Sequence, residues 1–199
     1  MTAPQIAALL VFLFPLAYSP GPGNSFFAAI GASGGLASAW PALIGYHAAT
    51  FVVTLAIGAG LGLTLLTNPT VAGALKLAGA FYVAGIGVMF LKAAPSDGDA
   101  GRGPMRASLL DGAAVLVFNP KAYLIIALMF TQFLPEQASL ATLLTITAVF
   151  TINNLLAFVI WTLLGLAIGR LIASRMSGRL VNLVFGGCLI GVAAWMALS

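Results

Sequence analysis

Apolar residues run in long blocks along this chain, separated by short clusters of glycine, proline and charge. A hydrocarbon core about 30 Å thick takes roughly 20 helical residues per crossing. The blocks predict six spans, at about 5–31, 40–66, 71–92, 108–133, 139–168 and 178–198. Breaks fall at Gly34-Gly35, Asn68-Pro69, Pro95 to Pro104, Pro135-Glu136 and Arg170 to Gly178. The third is the hydrophilic one, with Ser96, Asp97, Gly98, Asp99 and Arg102. It divides the chain into halves at 1–94 and 108–199, joined by a linker at 95–107. The start, Met1-Thr2-Ala3-Pro4, has no positive leader, and Pro15, Pro20 and Pro22 follow it. The first block therefore reads as a retained span and not as a cleaved signal. An all-α integral membrane fold is expected.

Composition sharpens this. Hydrophobic residues make up 61% of the chain and charged ones 6%, against about 25% charged in a soluble domain. A soluble enzyme and a nucleic-acid binder are excluded, although the pI is near 9.7. The lone cysteine, Cys188, excludes an intrachain disulfide or a thiol relay. Position matters more than net charge, because cytoplasmic loops collect Lys and Arg. Lys92, Arg102, Arg106, Arg170, Arg175 and Arg179 all fall on the side of loops 1–2, 3–4 and 5–6. The other side has Lys76 alone, one turn inside its span. The first set of loops is thus expected in the cytoplasm of a bacterial inner membrane, with both termini periplasmic or extracellular. Glycine pairs at four-residue spacing, Gly31/Gly35, Gly58/Gly62, Gly165/Gly169 and Gly187/Gly191, predict close helix packing.

Three polar clusters interrupt the spans. Ser19-Pro20-Gly21-Pro22-Gly23-Asn24 puts two prolines and two glycines in the first span, which predicts a broken helix. Such a break survives in a membrane only against protein or a water-filled cavity. Asn119-Pro120-Lys121 lies near the centre of span four, where a lysine costs about 2.5–3.5 kcal/mol on insertion scales. Lys121 is too far from either end to snorkel, and an ammonium beside a helix break suits a carboxylate. Asn153-Asn154 sit midway along span five, about 100° apart on the helix, so at most one faces a cavity. His47 in span two and Asp111 in the first turn of span four are the candidates for carrying protons. The position of Asp111 also suits a helix cap. Some 15 Å of helix separates Asp111 from Lys121, which argues against a direct pair. Glu136 reads as a solvated loop residue.

Pro20 and Pro120 lie 100 residues apart, and His47 and Asn153 lie 106 apart. Each half therefore has three spans, the first broken at proline, and an odd number requires opposite insertion of the two halves. Matched broken spans in inverted halves are the pattern of secondary transporters that bind substrate near the midplane.

The chain resembles the lysine exporter (LysE) family, which includes threonine and homoserine efflux carriers. The matching pieces are Ser19 to Asn24, Gly34-Gly35, and Leu75 to Tyr82 ahead of Gly85 and Gly87. Asn119-Pro120-Lys121-Ala122, Gln132-Phe133 and Gly186 to Gly191 complete the set. Gly23 stands where the family usually has Asn or Asp, and Thr131 where a proline often precedes Gln132. The resemblance implies export of amino acids or related small metabolites, driven by the proton motive force. Pro20, Gly21, Pro22, Asn119, Pro120 and Lys121 would be its signature residues. Substrate contacts are expected from Lys121, Asn119 and Pro120, from Pro20 to Asn24 (Gly21, Pro22 and Gly23 between), and from Asn153 and Asn154. The expected partners are a small solute, protons and the lipid bilayer, with a homo-oligomer left open. Neither a catalytic set nor a cluster of intramembrane carboxylates for a metal is present, so no enzyme, cofactor or metal exporter is expected. A passive channel and an exporter of some other metabolite stay as alternatives.

Overall fold

A computed structural model describes residues 1–60, 69–92, 106–135, 137–173 and 178–198. Gly62, Asn68, Glu136, Arg102, Arg175 and most of the 95–107 linker lie outside the described residues. Among the described residues there are seven helices: α1 Ala3–Tyr18, α2 Pro22–Gly58, α3 Pro69–Lys92, α4 Leu109–Val117, α5 Pro120–Phe133, α6 Leu140–Ala173 and α7 Gly178–Leu198.

Proline sets two of the boundaries. The residue before a proline is pushed toward extended backbone, while the proline itself fits the first turn of a new helix. Ser19, Gly21 and Asn119 each precede a proline, and all three are extended. Helices restart at Pro22 and Pro120. Pro15 and Pro41, without that company, stay inside helices. The predicted breaks in spans one and four are therefore present, and α4 and α5 meet at a bend of 63°.

The first predicted loop is shorter than the pattern suggested. Helical backbone runs from Pro22 to Gly58 with one non-helical residue, Gly35, at φ 69° and ψ −169°. Phe27 and Tyr46 would stand about 28 Å apart on a straight helix, yet their ring centroids are 5.9 Å apart. The limbs 22–34 and 36–58 thus form a hairpin, and Gly35 alone makes the reversal. A residue with a Cβ would be strained there.

The long helix α6 organises the rest. Limb 22–34 runs parallel to its second half: Gly165 touches the Ala28 carbonyl, Gly31 the Thr162 carbonyl, and Gly169 lies against Ala32. Limb 36–58 runs antiparallel to α6, with Gly35 near Leu166 and Gly58 against Leu143. Helix α4 lies on that limb through Gly112 at the Ala42 carbonyl and Gly45 at the Leu109 carbonyl. Ala107 donates to the Ser38 carbonyl at 3.4 Å, so the end of the linker meets the Gly35 turn. At the opposite end, Met1, Gln5, Gln132 and Thr142 share a hollow of about 430 Å³. Helices α3 and α7 pair antiparallel, with Gly87 against Gly186 and Ile190. Here the glycine reading needs correction: Gly187 and Gly191 face open space, and Gly186 on the neighbouring face makes the contact.

The surface is inverted relative to a soluble protein. Val11, Phe14, Phe81, Leu110 and Trp195 are exposed, whereas Asn24, His47, Asn119, Asn153 and Asn154 are buried. Apolar side chains outward and polar ones inward is the arrangement that lipid demands. Among the described residues two helices are long and apolar enough to cross a membrane, or three if the bent α4–α5 pair counts as one crossing. Inside, one apolar cluster holds Phe26, Phe27, Tyr46 and Phe158, and a second holds Leu9, Leu13, Ile126 and Phe150.

Candidate functional site

The two helix breaks meet. Where α1 stops, its last carbonyls have no partner within the helix, and the end carries partial negative charge. Lys121, in the first turn of α5, delivers its ammonium to that end. Nζ donates to the Ser19 carbonyl at 2.6 Å, to Ser19 Oγ at 3.0 Å and to the Pro20 carbonyl at 3.3 Å. An ammonium has three protons, and all three are used. Asn24 closes the same end by donating Nδ2 to the Ala17 carbonyl at 3.0 Å.

Glycine permits this approach. A Cβ on Gly21 would stand 2.8 Å from Lys121 Cδ and 3.1 Å from Nζ. At Gly23 it would stand 2.7 Å from Phe158 Cζ and 3.4 Å from Asn119 Nδ2. The departure from the family pattern at Gly23 thus has a local reason, since the Phe158 ring fills the place of a side chain.

Asn119 donates Nδ2 to the Tyr46 hydroxyl at 3.1 Å, while its Oδ1 is buried without a partner. Tyr46 is enclosed by Phe27, Phe158 and His47, at centroid distances of 5.9, 4.6 and 5.2 Å. His47 bonds the Leu43 carbonyl through Nδ1 at 2.7 Å, and its Nε2 is buried and unpartnered. Between Lys121, Asn119, Asn24, Tyr46 and Asn154 lies a hollow of about 10 Å³, room for about one water molecule. Its lining draws on both apolar clusters, with Ala17, Ala122 and Phe158 from one and Ile125 and Phe150 from the other.

The neighbouring asparagines separate as helix geometry requires. Asn154 lines the hollow, whereas Asn153 is buried with Nδ2 unpartnered and is not in the lining. Asp111 is also remote from Lys121. It forms a capping box with Ser108, taking the Ser108 amide at 2.8 Å and its hydroxyl at 2.7 Å, and it accepts from Tyr82 at 3.2 Å. The structure therefore gathers Pro20, Gly21, Pro22, Gly23, Asn24, Asn119, Pro120, Lys121 and Asn154 in one place, with His47 adjoining through Tyr46. Asp111 and Asn153 stand outside. Three participants were not foreseen as site residues: Tyr46, Phe158 and Ser19 as an acceptor. Ser19 could have been inferred, because a broken helix end needs its carbonyls met. Phe158 carries no such signal.

Apolar outside, polar within and broken at its polar centre, the chain is a multi-pass membrane protein. Residues 14–199 match the family described as LysE type translocator, and the chain belongs to that family. It is a membrane transporter, and the members of this family are transporters and not enzymes. No curated protein and no solved structure matches the chain.

Proposed function

We propose that this protein is a secondary exporter of amino acids or related small metabolites, carrying them out of the cytoplasm across a bacterial inner membrane. It works by alternating access about a site at Lys121, driven by the proton motive force. The six crossings are α1 with limb 22–34, limb 36–58, α3, α4 with α5, α6 and α7. They form two inverted halves, 1–94 and 108–199, with the Gly35 turn and the 95–107 linker cytoplasmic and both termini outside.

One observation carries this reading: two broken helices, from opposite halves of the chain, meet at a lysine between two apolar clusters. A half-buried ammonium there suits a substrate carboxylate, and Asn119, Asn24 and Asn154 supply further polar contacts. The hollow beside Lys121 is too small for any metabolite, which supports gated passage over a standing pore. His47 is the better placed of the two candidates for proton coupling, since it adjoins the site and keeps Nε2 free, while Asp111 is engaged as a cap.

The test is a metabolite screen of medium from cells overproducing the wild type or Lys121→Met. The wild type should enrich one or more amino acids or related solutes, and the variant, present in the membrane at equal level, should not. Equal enrichment by both would remove Lys121 from the mechanism.

A further inference from the structure

Threonine inside a helix can return its hydroxyl to the carbonyl one turn earlier. Thr50, Thr151 and Thr162 do so, at 2.8, 2.8 and 2.7 Å. Thr54 and Thr147 do not: each is 0% exposed, and among the described residues neither Oγ1 has a partner. A buried polar group left unpaired costs about 1–3 kcal/mol, and a bound water removes that cost. The two hydroxyls also belong to one seam. Gly58 packs against Leu143 where limb 36–58 runs along α6. Thr54 stands one turn before Gly58 and Thr147 one turn after Leu143, on the facing stripes of two antiparallel helices.

The row continues inward. Thr50 and Thr151 lie one turn further along the same stripes, and His47 follows Thr50. Steps of three or four residues rise about 4.5–6 Å, a gap that one water spans with two hydrogen bonds of about 2.8 Å. His47 presents an acceptor to the inner end of this row. The Leu43 carbonyl can only accept, so Nδ1 bears the proton and Nε2 is the buried, unpartnered acceptor. Neither limb 36–58 nor α6 has an acidic residue, which favours water and protons over a metal cation.

We infer that Thr54 and Thr147, continued by Thr50 and Thr151, hold a file of water that passes protons between the outer side and His47. At each step an oxygen accepts a proton from its outer neighbour and releases another to the inner one. The proton ends on Nε2 of His47, whose Nδ1 keeps its bond to the Leu43 carbonyl. Leu143 and the Phe130 ring, packed on Gly58, cap the row at its outer end. This rests on the proton-driven reading above, with His47 as carrier, and supplies the path.

Proteoliposomes containing the full chain are loaded with an equimolar mixture of the twenty common amino acids. Efflux with the outside made acidic is followed by mass spectrometry. Exchange of labelled for unlabelled amino acids at equal pH, which moves no net proton, is measured beside it. Valine keeps the β-branched shape of threonine without the hydroxyl, and serine keeps the hydroxyl without the methyl. Thr54→Val with Thr147→Val should lose the acceleration by the gradient and retain exchange. Thr54→Ser with Thr147→Ser should retain both. A packing role predicts the reverse order, with valine above serine. Gradient-driven efflux unchanged in the valine pair, loss of exchange in it, or equal loss in the serine pair would overturn the relay and leave the export reading standing. Wild-type efflux that is absent, or indifferent to the gradient, would overturn proton-driven export and the relay with it.

Discussion

The contact of Gly23 with Phe158 allows a sharp test of the site's packing. A Cβ at Gly23 would stand 2.7 Å from Phe158 Cζ and 3.1 Å from Cε2, so the ring has to retreat in Gly23→Ala. It has little room to do so. Phe27, Tyr46 and His47 surround it at centroid distances of 4.9, 4.6 and 5.5 Å. Forcing a methyl into a filled core costs about 1–3 kcal/mol. For a chain of this size that corresponds to a fall in Tm of about 2–12 °C. Phe158→Leu relieves the clash at a cost of its own, the cavity left by the smaller side chain. The two changes should therefore couple. In Gly23→Ala with Phe158→Leu, the loss should be smaller than the sum of the single losses by at least about 1 kcal/mol. The assay is thermal unfolding of the purified protein in one detergent, for wild type, both single variants and the double. Losses that add to within about 0.5 kcal/mol would refute the contact between Gly23 and the Phe158 ring.

Further outcomes follow from the glycine contacts and the titratable residues. Gly31→Val drives a side chain into the Thr162 carbonyl and should cost about 3 kcal/mol, read as loss of protein from the membrane fraction. Gly187→Ala, with nothing within 4 Å, should stay within about 0.5 kcal/mol of wild type; equal losses in the two would contradict the α2–α6 seam. Replacing His47 by Ala together with Asp111 by Asn should abolish the uncoupler-sensitive part of export. Asp111→Asn also weakens a helix cap by about 1 kcal/mol, so flux is compared at equal membrane levels. Gradient-driven flux that persists unchanged would exclude both residues as proton carriers.

Local chemistry was readable in advance, and long-range pairing was not. The breaks at 19–22 and 119–120 follow from proline, which constrains its predecessor whatever surrounds it. The isolated position of Lys121 in an apolar block marked it without any knowledge of neighbours. What could not be read was its partner, because the meeting of Ser19 with Lys121 depends on how α1 and α5 dock across the fold. The same holds for Tyr46 with Asn119 and for Phe158. Gly34-Gly35 announced a break, but a reversal needing one residue instead of a loop depends on Phe27 and Tyr46 packing face to edge. Four-residue glycine spacing identified a close contact at Gly165 and Gly169 and misplaced the one in α7. Spacing alone fixes a helical stripe and leaves open which stripe a neighbour covers.

The seam between limb 22–34 and α6 bears on how such a fold could move. Gly31 rests on the Thr162 carbonyl and Gly165 on the Ala28 carbonyl, so backbone meets backbone with no side chain between. A one-turn slip toward the Gly35 end would replace Gly31 by Phe27 at Thr162, putting an aromatic ring where a hydrogen atom now fits. This pair is therefore a keel that resists sliding in that direction. No such glycine seam holds α1 and α5 among the described residues; they end and begin at the proline breaks. Their joint is clasped by Lys121, so one side chain ties together the two helices that the prolines interrupt.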